Sequence, residues 1–281
     1  MKMDFSKGVV VAADKPDKTE IMRVIGEVYP YVDAIKVHED FFKEGIIYEI
    51  KKEFPDSKII ADVKLADIPN TNRLKIQAYA QKGASGIIYQ LFTGIFSAEA
   101  CVQEAHNHEM IALGVCDMTQ PGAAILYGAP IDKGIESRVR EEFKRAEKVK
   151  EVADYSEALK KGPDAFIKAI KLEELLAQNA TIGQFNAAVA NYLGTDAIIA
   201  PGNKPEVIKS LRSITGPELW YGHPGIGVAQ LGSSDVYSIL GNKFLIVGRD
   251  IVNAPDVRKM TPAESAKDYM EKVAAYKTEK R

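Results

Sequence analysis

Eight short apolar runs recur along this chain, and each is followed by residues with helical spacing. The runs are Gly8–Asp14, Asp33–His38, Ser57–Ala61, Gly86–Gln90, Ile111–Cys116, Asp196–Ala200, Glu218–Gly222 and Phe244–Gly248. They are rich in Val and Ile and too short for core helices, so they read as strands buried on both faces. Helical stretches follow at about Asp17–Tyr29, Asp40–Phe54, Asn70–Lys82, Ile95–Asn107, Pro205–Ser213 and Ala263–Tyr276. Strand and helix in strict alternation predict an α/β protein, a (β/α)8 TIM barrel. The competing architecture is an open doubly wound sheet. It calls for a glycine turn after an early strand, whereas the first run ends in Asp14-Lys15-Pro16 and the glycines cluster late.

The rhythm breaks once, after Thr119-Gln120-Pro121-Gly122, and resumes at Asp196. Between Asp132 and Glu151, thirteen of twenty residues are charged. Ile135, Val139, Phe143, Ala146 and Val149 leave a thin apolar stripe on this segment, the pattern of a largely solvated helix. Further helical stretches follow near Asp164–Gln178 and Ile182–Leu193. The expectation is one barrel domain over residues 1–281, with a helical insertion between strands five and six over 128–180. The insertion is either a solvated excursion or an extra partner surface. Residues 277–281 are expected to be a frayed tail.

Composition narrows the function classes. With 37 basic and 39 acidic residues the net charge is −2, so neither a nucleic-acid surface nor a membrane patch is indicated. No apolar run is long enough to span a bilayer, and Met1–Phe5 opens no signal peptide. Two cysteines, Cys101 and Cys116, make no disulfide framework and no zinc spacing. A reducing, cytoplasmic setting fits them.

The chemistry gathers at strand ends, where a barrel keeps its active site. After Ile59-Ile60-Ala61 comes Asp62-Val63-Lys64-Leu65-Ala66-Asp67-Ile68-Pro69-Asn70-Thr71. Alternation puts Asp62 and Lys64 on one face, roughly 6.6 Å apart, and Val63 and Leu65 on the other. Pro69 has no N–H and stops the ladder, so Asn70 or Thr71 is expected to cap the next helix. Buried charges are costly unless paired, so this strand end builds either a salt-bridge network or a reaction site. Asp14, Lys36, Gln90, Thr119, His223 and Arg249 stand at the ends of other strands. Each alone has a plainer reading: a helix cap for Asp14, a snorkelling amine for Lys36, a turn cap for Thr119. After strand seven comes His223-Pro224-Gly225-Ile226-Gly227-Val228-Ala229-Gln230-Leu231-Gly232, and after strand eight Gly248-Arg249-Asp250. Such a pair of loops holds phosphate in many barrels, because glycines expose backbone N–H groups and arginine adds a fork. The alternative is a plain glycine turn and a surface arginine.

With these residues in view, the chain resembles the orotidine 5′-phosphate decarboxylase family, nearest its archaeal-type branch. Asp62-x-Lys64-x-x-Asp67-Ile68-Pro69-x-Thr71 matches the family signature. Pro224-Gly225-Ile226-Gly227-x-x-Gln230 and Val247-Gly248-Arg249 match its phosphate loops, and Asp14 and Lys36 its first two strands. The resemblance implies cofactor-free, metal-free loss of CO2 from the orotate ring of a nucleotide, giving uridine monophosphate. It implies that Lys36, Asp62, Lys64 and Asp67 form an alternating charge array with Lys64 as proton donor. It places Asp14 at the ribose, Thr119 at the pyrimidine, and Pro224, Gly225, Gly227, Gln230, Gly248 and Arg249 at the phosphate. It also implies a homodimer in which Asp67, Ile68 and Thr71 reach the neighbouring site. Two departures stand out: Thr119 occupies a position usually held by serine and Gln120 one often held by histidine, and the 128–180 stretch is longer than usual. A Mg2+-dependent sugar-phosphate aldolase or decarboxylase of the hexulose-phosphate synthase type shares Asp-x-Lys-x-x-Asp. That type needs an acid on strand two, where this chain has Lys36. A non-catalytic nucleotide-monophosphate binder is the reading from another class, and it would not need all four charges.

Overall fold

The computed structural model describes residues 3–15, 17–41, 45–227, 232 and 235–278. The expected strands form as β1 (Val9–Ala12), β2 (Ala34–Val37), β3 (Ile59–Leu65), β4 (Gly86–Gln90), β5 (Ile111–Val115), β6 (Ala197–Ile199), β7 (Trp220–Pro224) and β8 (Lys243–Val247). Each pairs in parallel with the next, and β1 pairs with β8, so the sheet closes into an eight-stranded barrel. Along every strand alternate residues face in or out. Val10, Ala34, Ile60, Ile88, Leu113, Ile199, Phe244 and Ile246 fill the interior. Phe5 stacks on Phe244, ring centroids 4.0 Å apart, with Trp220 tilted beside it at 5.2 Å. These rings belong to the interior cluster, so the barrel is a packed core and not a pore.

The outer ring begins with α1 (Lys18–Val28), α2 (Ile47–Glu53), α3 (Pro69–Gln81) and α4 (Ile95–Asn107). Two of these depart from expectation. A helix over Asp40–Phe54 is replaced by a single helical turn at Glu39–Phe41 and then α2. Glu39 folds back to accept the Ile46 and Ile47 N–H groups at 3.1 and 3.2 Å, capping α2 from the turn before it. At α3 the cap is Ile68 with Pro69 in the first helical position, so Asn70 and Thr71 lie inside the first turn. Proline is favoured there because that N–H has no helical partner in any case.

Between β5 and β6 run α5 (Ala123–Tyr127), α6 (Ile135–Ala146), α7 (Lys150–Tyr155), α8 (Glu157–Lys161), α9 (Pro163–Ala169), α10 (Leu172–Ala177) and α11 (Ile182–Leu193). The stretch expected as one helix near Asp164–Gln178 is split into α9 and α10 at Lys171, which takes φ 53°. The charge-rich helix α6 is docked. Val139, Phe143 and Ala146 are buried, and Phe143 meets Phe96 edge-on at 5.0 Å and Phe166 at 5.6 Å. Polar contacts bind the two layers reciprocally. Glu142 on α6 accepts the Ile95 N–H at the start of α4, at 2.7 Å. Glu99 on α4 accepts from Ser156 and from the Glu157 and Ala158 N–H groups at the start of α8. Gly94 turns the chain there at φ 103°, where a Cβ would sit 2.8 Å from the Glu142 carboxylate. The remaining helices are α12 (Pro205–Thr215), α13 (Asp235–Ser238), α14 (Arg249–Val252), α15 (Ala254–Val257) and α16 (Pro262–Thr278). Residues 279–281, part of the expected tail, lie outside the described residues. Among the described residues no helix is long and apolar enough to cross a membrane.

The docking of α6 carries a stability prediction. Phe143 is 1% exposed, so Phe143→Ala should cost roughly 3–5 kcal/mol by urea unfolding. Arg145, on the solvent face, pairs among the described residues with Glu141 one turn before it, and Arg145→Ala should stay within about 0.5 kcal/mol. Equally small losses would show that the helix is not part of the core.

Candidate active site

At the carboxyl end of the barrel a cavity of about 270 Å³ opens among the strand ends. Its floor is apolar, made by Ala12, Ile88, Val115, Ile199 and Ile246, and its wall along β1 to β3 is charged. Lys36 continues the inward-facing row of β2 above Ala34, and Asp62 continues that of β3 above Ile60. Lys36 Nζ lies 2.7 Å from Asp62 Oδ2 and 3.0 Å from Asp14 Oδ1. Lys64 Nζ lies 2.7 Å from Asp62 Oδ1. The order Asp14, Lys36, Asp62, Lys64 alternates in sign and sums to zero. Burial alone would raise the Asp62 pKa. The hydrogen bond from His38 and the charges of Lys36 and Lys64 outweigh it and hold the carboxyl well below the usual carboxylate range.

Lys64 reaches this position through an irregular backbone. Its φ is 41°, in the left-handed region. The β3–β4 register runs from Ala61 opposite Ile87 to Leu65 opposite Tyr89, four residues on β3 against two on β4. Side chains other than glycine pay for such a conformation with about 1–3 kcal/mol, and such strain concentrates at functional sites. Val63 and Leu65 still pack outward under the helices, so the in/out alternation survives the bulge.

The opposite wall comes from the loops after β5, β7 and β8. Thr119, Pro224, Gly225, Gly248 and Arg249 line the cavity. Lys204 pins the β5 loop by donating to the Met118 carbonyl at 2.7 Å and to Asp117 Oδ1 at 3.2 Å. Gly225 takes φ 87° and Gly227 φ 112°, and a Cβ on Gly227 would lie 2.5 Å from the Asp250 carboxyl carbon. Only glycine fits there with Asp250 in place. Gly227 pairs with Gly232 beyond the cavity wall. Gln230 lies outside the described residues.

Other expected residues stand apart from this cavity. Asp67 pairs with Lys75 at 3.0 Å, and Ile68 is 65% exposed. Thr71 sits in the first turn of α3. These three are not among the groups lining the cavity within one chain. Gln90 is buried and accepts from the Tyr127 hydroxyl at 2.9 Å. His223 faces outward from β7, 1% exposed, with Nδ1 2.9 Å from the Ala200 carbonyl. The sequence reading passed over His38, Asp117 and Asn253, which line the cavity. His38 was within reach of the same rule that paired Asp62 with Lys64, since it stands two residues after Lys36 on one strand face. Asp117 and Asn253 lie beyond strand ends, where no periodicity points inward.

Comparison with known proteins gives a consistent picture. The model of the Orotidine 5'-phosphate decarboxylase / HUMPS family matches residues 7–156. The orotidine 5'-phosphate decarboxylase of Methanococcoides burtonii is 30% identical over 267 residues, covering 94% of this chain and 96% of that protein. That of Methanocaldococcus jannaschii is 31% identical, covering 94% and 97%. Among solved structures, orotidine 5'-monophosphate decarboxylase from Methanocaldococcus jannaschii complexed with inhibitor BMP superposes with a TM-score of 0.66. Its identity is 28%, covering 95% of this chain and 98% of that one. The Pyrococcus horikoshii enzyme gives 0.63 at 26% identity, covering 95% and 99%.

The buried histidine makes a pH prediction. Burial lowers the His223 pKa to about 3, against the Ala200 hydrogen bond that raises it. The native ring therefore stays neutral well below pH 6.5, where the unfolded ring takes up a proton. Its contribution is complete above about pH 6.5 and is lost as pH falls toward 3. Between pH 7 and pH 5 the loss should be about 2 kcal/mol in urea unfolding. The loss should be clearly smaller in His223→Asn. Parallel losses in both proteins would refute the assignment.

Proposed function

The chain belongs to the Orotidine 5'-phosphate decarboxylase / HUMPS family, and from that premise we propose how its cavity carries out the reaction. The protein decarboxylates orotidine 5′-monophosphate to uridine 5′-monophosphate in pyrimidine biosynthesis. The observation that carries the mechanism is the Asp14–Lys36–Asp62–Lys64 array at one end of a closed barrel. Asp62 is kept ionised by its neighbours, so a substrate carboxylate brought against it meets a fixed like charge. Two carboxylates about 4 Å apart repel by roughly 4 kcal/mol at an effective dielectric near 20. That repulsion is relieved as CO2 departs, and would be worth at most about three powers of ten in rate. The bond from ring carbon to carboxylate breaks and its electron pair stays on the ring carbon. The Lys64 ammonium stabilises that charge and then gives its proton to the carbon. Lys36, bridging Asp14 and Asp62, holds the array in register. No step draws on a metal or an organic cofactor.

The other wall binds the nucleotide. Arg249 with the Gly225, Gly227 and Gly248 backbone takes the phosphate, and Pro224 shapes that loop. Gln230 belongs to this group by sequence match alone. Thr119 contacts the pyrimidine and Asp14 the ribose. Binding energy gained at the phosphate, remote from the reacting carbon, is then available to press the carboxylate against Asp62. Asp67, Ile68 and Thr71 serve the site of a second copy. Their position outside their own cavity and the exposure of Ile68 support this, and the active species is then a homodimer with shared sites. The 128–180 region is a helical insertion in a single barrel domain.

The absorbance loss of orotidine monophosphate gives the assay. Lys64→Ala should lower kcat by roughly 10²–10⁴-fold and still bind uridine monophosphate. A near-normal kcat would remove Lys64 from the proton-donor role. Arg249→Ala should raise KM roughly tenfold to hundredfold, with turnover of phosphate-free orotidine unchanged.

A further inference from the structure

His38 sits at the centre of the charge array, and the mechanism above gives it no role. It extends the inward row Ala34, Lys36 of β2 by one more position. Its Nε2 lies 3.1 Å from Asp62 Oδ2, 3.1 Å from Lys36 Nζ and 3.7 Å from Asp14 Oδ1. The ring stacks on Phe41 with centroids 5.0 Å apart, which fixes its plane.

The hydrogen-bond count at Asp62 shows what this ring does. Among the described residues, Oδ1 accepts from Lys64 alone, at 2.7 Å. Oδ2 accepts from Lys36, at 2.7 Å. Lys36 is shared, since it also donates to Asp14 at 3.0 Å. An ammonium is a point charge with rotating donors, so Lys36 neutralises Asp62 without orienting it. An imidazole N–H is directional, and a stacked imidazole more so. With its proton on Nε2, His38 donates to Oδ2 from a fixed direction. With the proton on Nδ1 it accepts from Lys36 and turns a lone pair toward the carboxylate. Only the first tautomer holds the Asp62 plane.

We infer that His38 is a positioning residue for Asp62, its Nε2–H fixing the carboxylate so that the second oxygen faces the place where the substrate carboxylate must sit. The inference rests on the roles given above to Asp62 and Lys64. It goes further by assigning the orientation of the repelling charge to a ring N–H just past the end of the neighbouring strand.

The test compares His38→Phe with His38→Gln. Phe keeps the stack on Phe41 and loses the donor; Gln carries an amide nitrogen near the place of Nε2. His38→Phe should lower kcat about tenfold, the worth of one hydrogen bond to a charged group. Its KM for orotidine monophosphate should be unchanged or lower, because the opposing charge no longer meets the substrate squarely. Its affinity for uridine monophosphate, which has no carboxylate, should be unchanged. His38→Gln should recover most of kcat. Thermal midpoints measured alongside separate a structural loss, and His38→Ala replaces His38→Phe if the latter fails to fold. Wild-type kcat in His38→Phe, equal impairment in His38→Gln, or kcat falling only in step with the thermal midpoint would overturn the inference. Lys64→Ala run in parallel tells the two readings apart. If Lys64→Ala is inactive and His38→Phe is fully active, only the role of His38 falls. If Lys64→Ala is active, both fall.

Discussion

One carboxylate, that of Asp62, sets the terms for the rest of the molecule. It is 5% exposed, and an ion so far from water is sustained only by partners that restore what hydration supplied. Three groups do so: Lys36 on β2, His38 just past its end, and Lys64 on β3. Removing any one leaves a charge or a donor without its counterpart, which costs more than the net worth of the pair. The arrangement is therefore collective, and it needs a support that fixes adjacent strands to within a fraction of an ångström. A closed parallel barrel provides one. Its hydrogen-bonded register places Lys36 opposite Ile60 and Ala12 opposite Lys36, so Asp14 and Asp62 each stand two residues past the level of Lys36 on the strands flanking it.

The helices between β5 and β6 contribute at a distance. α4 is buried along most of its length, which a helix on the outside of a barrel seldom is. The layer of α6 to α9 is the reason, because Phe143 packs on Phe96 and Phe166 backs Phe143. Reciprocal carboxylate caps from Glu99 and Glu142 tie that layer to α4. Asn72 on α3 and Ser97 on α4 in turn hold the Asp67 carbonyl at 2.9 and 2.6 Å. A chain of packed groups thus runs from the charge-rich segment to the turn that follows Lys64.

Much of this was legible in the residues themselves. Short β-branched runs, apolar on both faces, marked all eight strands to within a few residues, and β4, α4 and α11 fall on their expected bounds. The common face of Asp62 and Lys64 followed from strand alternation. What stayed hidden depends on tertiary contact. The left-handed Lys64 has no local signal, since lysine has no preference for that region and the bulge answers to β4. The docking of α6 was obscured because three buried residues among many charges look like a solvated helix until the aromatic partners from α4 and α9 are in place. The late start of α2 came from Glu39, a side chain acting on backbone groups seven and eight residues on. Asp67, Ile68 and Thr71 carry the family signature yet are not among the residues that line the cavity of their own chain, which strand alternation alone does not reveal.

The seam between β1 and β8 has a consequence for how the protein is made. Val9 stands opposite Leu245 and Val11 opposite Val247, so β1 waits for β8 before its edge is paired. Asp14, Lys36, Asp62 and Lys64 all precede β4 in the chain, while the opposite wall of the cavity follows β5, β7 and β8. Until β8 is made, the charged groups of β1 to β3 belong to a sheet whose β1 edge is unpaired, a template for aggregation until closure. The entropic cost of closure grows only logarithmically with the intervening length, but the contact is about as non-local as the chain allows, and such contacts slow folding.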